Sequence, residues 1–180
     1  MSGFRRPGAV LAAAAVVAAL FCGCGRSDAA RAQPTPGKAV KTLELPGLPA
    51  DLLGLKVARE DVSEPVSRVD SAFIDGLALY SLRTAPSGNG GDLVQATLQV
   101  SRFNPGADPT SKKFRETVVN QVGSSKPRAF RLGNRTVYLT TGTKQSIAVW
   151  FTGRYMFVLA SRADYDQPRT LLRQALELRP

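Results

Sequence analysis

Histidine does not occur anywhere in this chain of 180 residues, which removes the commonest general base and the commonest metal ligand together. Cysteine is nearly as scarce. The two present, Cys22 and Cys24, lie one residue apart near the N-terminus, where they cannot staple a distant core. Cleavage ahead of Cys24, with that thiol consumed by modification, leaves a domain with no free thiol and no disulfide. Cys-His and Ser-His catalysis, zinc clusters and haem ligation by His or Cys are excluded by inventory. No cofactor, metal or catalytic residue is expected. Long apolar runs are also missing. The longest, residues 9–21, has thirteen residues, short of the roughly 20 that an α-helix needs to span hydrocarbon. Acidic residues are few, 14 against 24 Lys and Arg, for a net charge of +10.

What is present begins with an address. Arg5 and Arg6 form a positive start, residues 9–21 an apolar centre, and Gly23 and Gly25 flank Cys24, the order of a secretory leader. Phe21-Cys22-Gly23-Cys24 resembles a bacterial lipobox, although Phe21 stands where Leu is usual and Leu20 falls one place early. The resemblance implies that Cys24 receives a diacylglyceryl group and becomes the mature N-terminus. Cys22 is the poorer candidate because bulky Phe21 would occupy its cleavage position. The alternative is plain secretion, with cleavage after the small-x-small sequence Ala30-Arg31-Ala32. Residues 25–47, rich in Ala, Pro, Gly and charge, read as a tether reaching roughly 25–30 Å as a flexible chain. The organisation expected is a signal peptide at 1–23, a lipidated tether at 24–47 and one domain at 48–180, long enough to bury its own core. Without the leader's two arginines, 22 basic residues face 14 acidic ones, a net of +8.

Within the domain, residues 49–54 suggest a helical turn. Residues 72–83 and 93–103 read as strands around the flexible Ser87-Gly88-Asn89-Gly90-Gly91, most simply a β-hairpin. Asp108 can cap a helix starting at Pro109, with Phe114, Val118 and Val122 on one face and Gly123 after it. Residues 128–132, 135–141, 146–152 and 155–162 then form a β-meander. Residues 147–151 are apolar throughout, as a strand covered on both faces requires. A last helix from Pro168, capped by Asp164 or Asp166, carries Leu171, Leu172, Ala175, Leu176 and Leu178. The order β-β-α-β-β-β-β-α lacks strand-helix-strand crossovers and points to an α+β fold, an antiparallel sheet of about six strands in two layers with both helices packed on it. Leader, tether and small α+β domain together resemble cell-envelope lipoproteins of high-GC Gram-positive bacteria. That resemblance is specific only over about the first 25 residues.

Several residue groups carry potential chemistry. Thr141 and Lys144, or Ser124, Ser125 and Lys126, could pair a hydroxyl with an amine, but each falls at an expected turn. Asp164 and Asp166 could act as an acid-base or calcium pair, but their position just ahead of a helix favours capping. Tyr138, Trp150, Phe151, Tyr155 and Phe157 could line an apolar pocket; aromatics on a sheet are more often core, and Trp150 is assigned there. Arg128, Arg131, Arg135, Lys144 and Arg154 could form an anion-binding surface if they share a face. Nucleic acid is excluded as a partner by the extracytoplasmic address and the lack of a base-reading motif. The expected function is a non-enzymatic binding or accessory role at the outer face of the cell membrane. The partners expected are the membrane itself, through the lipid, and an anionic envelope component, an amphiphile or a protein. The alternative is a hydrolase or transferase acting on wall or lipid through carboxylates and hydroxyls.

Overall fold

The structure is a computed structural model that describes residues 40–61, 73–84 and 92–179. The expected leader at 1–23, Cys24 and most of the expected tether lie outside those residues. Strands β4 (Ile74–Arg83) and β5 (Val94–Phe103) pair antiparallel from Ile74 opposite Phe103 to Arg83 opposite Val94, as the expected hairpin. Strands β6 (Arg128–Leu132), β7 (Arg135–Gly142), β8 (Gln145–Thr152) and β9 (Tyr155–Arg162) form the expected meander. Its turns reverse through left-handed backbone at Gly133 and Gly153, with φ of 62° and 55°, a conformation glycine adopts without a Cβ clash. Hairpin and meander are joined by a long-range pairing of β5 with β9, in which Leu98 faces Leu159 and Val100 faces Phe157.

The sheet is larger than the six strands expected, because three short strands precede β4. Residues 49–54 form no helical turn. Strands β2 (Asp51–Leu52) and β3 (Leu55–Glu60) make a tight hairpin there, its two-residue loop set by Leu53 and Gly54 at φ 53° and 74°. Two successive positive φ values match the right-handed twist of the flanking strands. Strand β1 (Lys41–Thr42) runs parallel to β4, with Lys41 opposite Gly76, and Leu43 just after it is buried. The packed chain therefore starts earlier than Leu48. The sheet order is β2-β3-β4-β5-β9-β8-β7-β6, with β1 also on β4.

Helices α1 (Lys112–Val122) and α2 (Pro168–Ala175) take opposite faces. Val118, Val119 and Val122 of α1 pack with Val149, Met156 and Val158, while Leu171, Leu172 and Ala175 of α2 pack with Ala148, Trp150, Phe157 and Leu159. The fold is α+β as expected, but in three layers rather than two. The cause lies in β8 and β9, which alternate apolar residues onto both faces and so require cover on each. The helix ends also differ from expectation. Asp108 accepts from Thr110 N (3.0 Å) and Thr110 Oγ1 (2.5 Å), making a local turn, and Ser111 caps α1 by accepting from Phe114 N at 3.4 Å. Asp164 is drawn instead to Arg162, leaving Gln167 at the start of α2 without a side-chain cap bond. After α1 the backbone at Gly123 is extended, and an added Cβ would run into the Thr140 side chain. Glycine serves there for close approach, not for a left-handed turn.

At the β3–β4 border Glu60 accepts from Ser81 Oγ and, at 2.5 Å, from Arg83 Nη2. The hydrogen bonds from Ser81 and then Arg83 hold the Glu60 carboxyl below its usual 4.5. A depressed folded pKa stabilises above the unfolded value and is lost as pH falls through the folded one. Thermal unfolding followed as pH falls from 6 should therefore show a shallower acid decline for Glu60→Gln than for the parent, the two curves converging once pH drops below the lowered pKa of Glu60. Parallel curves would contradict this role for Glu60.

Candidate functional site

Helix α2 covers the centre of its face of the sheet, where Leu171 and Ala175 are fully buried, and leaves the β6–β8 wing beside it open. The result is a groove of about 700 Å³. Register fixes its floor, since residues directly opposite in paired strands share a face. Arg128, Leu139, Ala148 and Leu159 form one cross-strand row over β6, β7, β8 and β9. Ser146 and Ser161 form the next row at one end, and Phe130 and Leu132 line the other. Leu139 is 41% exposed, although it lies on the floor between buried Ala148 and the edge strand.

The walls are cationic. Arg128 stands on β6 at one side, and Arg169 and Arg173, one turn apart on α2, stand at the other. Among the described residues none of the three side chains makes a hydrogen bond or ion pair. A second depression of about 710 Å³ shares Arg128, Leu139 and Ser146 with the first and adds Ser125, Lys126 and Thr141. No carboxylate lines either one.

The expected site residues are dispersed. Arg131 alternates to the opposite face from Arg128. Lys144 lies in the β7–β8 turn with φ 55°. Arg154, in the β8–β9 turn, donates to Phe103 O at 2.5 Å and pairs with Asp75 at 3.5 Å. Arg135 donates to Thr152 Oγ1 at 2.6 Å, and burial, then the neighbouring Arg179, lowers its guanidinium pKa below the usual arginine value. Of the five cations, only Arg128 lines the groove. Arg169 and Arg173 were missed as site residues, though their i, i+4 spacing beside the apolar stripe of α2 is visible in the sequence.

The aromatic candidates divide by face. Trp150, Tyr155 and Phe157 lie with α2, Tyr138 and Phe151 with α1, and none of the five lines the groove. The hydroxyls after α1 are engaged in packing: Ser124 Oγ donates to Thr141 O at 2.9 Å, and Ser125 Oγ accepts from Thr141 N at 3.0 Å. Asp164 is held by Arg162 through two hydrogen bonds of 2.8 and 2.6 Å, which keep its carboxyl below the usual range. Among the described residues there is no cluster of three or more groups able to hold a metal, and no helix long and apolar enough to cross a membrane.

An apolar floor between cationic walls can hold a hydrocarbon segment and an anion at the same time. It offers no paired carboxylates for proton transfer. Comparison of the chain with family models, with curated proteins and with solved structures finds no match.

Proposed function

We propose that this protein is a non-enzymatic binding lipoprotein of the cell envelope, held at the outer face of the membrane through lipid on Cys24, whose α2 groove receives an amphiphile. The observation that carries the reading is Leu139, 41% exposed on the floor of a groove of about 700 Å³. Ligand sites fall in the range of roughly 300–1,000 Å³ and combine an apolar lining with a few polar groups. A hydrolase or transferase would need free converging carboxylates. Glu60, Asp75 and Asp164 are instead committed to Arg83, Arg102 and Arg162.

The test is a charge placed on the floor. Leu139→Asp alters an exposed position, so its melting temperature should stay within a few degrees of the parent. Its affinity for dodecyl maltoside, measured by calorimetry below the micelle concentration, should fall about tenfold or more, because the apolar segment would meet an ionised carboxylate. Unchanged affinity would remove the groove from consideration.

A further inference from the structure

The groove's charge is more specific than its apolarity. Resting on the reading above, we infer that its ligand is a phosphate-headed amphiphile, the hydrocarbon lying over Leu139, Ala148 and Leu159 and the phosphate held between Arg128 on one wall and Arg169 and Arg173 on the other.

Three observations converge on the anion. The arginines line one cavity from two different elements, Arg128 from β6 and Arg169 and Arg173 from α2. None is neutralised by a hydrogen bond or ion pair among the described residues, whereas Arg83, Arg102 and Arg162 each have a carboxylate. The adjoining depression contributes Lys126 and again no carboxylate. Three unpaired guanidiniums around one apolar trough repel one another, and an anion seated there relieves that repulsion.

The geometry of the walls selects phosphate over carboxylate. A carboxylate presents two oxygens in one plane and suits a single guanidinium fork. A phosphate monoester presents three terminal oxygens around a tetrahedral centre, so it can receive forks from β6 and from α2 together. Ser146, on the floor and shared by both depressions, places a hydroxyl donor on the same path. Each exposed ion pair contributes a factor of about two to five, so three acting together should give a preference of about tenfold or more over an uncharged head.

Calorimetry on the full mature chain, with probes below their micelle concentrations, tests this. Dodecyl phosphate should bind about tenfold or more tighter than dodecyl maltoside, and laurate should fall between them. In the double variant Arg169→Gln with Arg173→Gln the ratio of dodecyl phosphate to dodecyl maltoside affinity should fall severalfold toward one. Added salt should weaken dodecyl phosphate binding to the parent and leave dodecyl maltoside unaffected, a comparison that needs no variant. Equal affinities for the two dodecyl probes would overturn the phosphate inference but leave the groove reading standing. Laurate binding as tightly as dodecyl phosphate would overturn the choice of phosphate. Inorganic phosphate binding as tightly as dodecyl phosphate would show an anion site to which the apolar floor adds nothing, and would also overturn the proposal. Binding of no amphiphile at all would remove the groove reading together with it.

Discussion

Trp150→Ala is expected to destabilise the domain by about 3–5 kcal/mol, as deletion of a fully enclosed large aromatic does, and to lower the melting temperature by roughly 10 °C or more. The indole is 0% exposed and stacks on Phe157 with ring centres 5.1 Å apart and planes 8° from parallel. It occupies the cross-strand row Phe130, Val137, Trp150, Phe157, Val100, at the middle of the layer between sheet and α2. Removing it empties a volume that strands paired on both sides cannot collapse to fill. A control separates packing from polarity. Trp150 Nε1 is buried without a hydrogen-bond partner among the described residues, and an unmade buried donor costs about 1–3 kcal/mol. Trp150→Phe keeps the ring stack and discards that donor, so it should cost far less than the alanine change. Because Trp150 does not line the groove, whatever Trp150→Ala protein remains folded should bind dodecyl phosphate like the parent. Equilibrium denaturation decides the matter, and a loss below about 1 kcal/mol for the alanine variant would contradict the core assignment.

The same strand shows what could be read from the chain alone. Residues 147–151 are apolar at successive positions, and a run of that kind has no solvent face to offer. Its interior place in the sheet followed from the pattern. Turn residues cut the meander into strands of the right length, and Phe114, Val118 and Val122 set the buried side of α1 by spacing. Long-range relations left no such local mark. The pairing of β5 with β9 joins residues some sixty positions apart, such as Leu98 and Leu159, and neither partner's neighbours encode it. The small β2–β3 hairpin was hidden because Leu53 takes a positive φ, a conformation leucine seldom adopts. Helix caps were misassigned where a competing partner lay closer, as Thr110 does for Asp108 and Arg162 for Asp164. For the groove, Arg128 was among the candidate cations. Its two companions belong to α2, and only the side of the sheet on which α2 lies decides whether they face Arg128.

Cys24→Ser is expected to move the protein from the membrane fraction to the soluble fraction, or to leave it uncleaved with its leader attached. Burying acyl chain contributes about 0.8 kcal/mol per methylene. Two chains of bacterial length would therefore hold on with an energy on the order of 20 kcal/mol, beyond what any surface contact of the domain replaces. Cys22→Ser should leave anchoring intact, since Gly23 still offers a small residue ahead of Cys24. The basic chain complicates the readout in a predictable way. With a net charge of +8 after the leader's two arginines are set aside, the released variant should adhere weakly to anionic bilayers at about 1 kcal/mol for each Lys or Arg near the surface. A wash in about 1 M salt shrinks the Debye length to roughly 3 Å and should strip that remnant, whereas a parent carrying lipid on Cys24 should stay bound. Dodecyl phosphate affinity should be the same for Cys24→Ser and parent, because the groove is built entirely from residues 128–173. Native protein recovered soluble, with its chain beginning at Gln33, would replace the anchor with simple secretion and leave the groove and the basic surface to account for any contact with lipid.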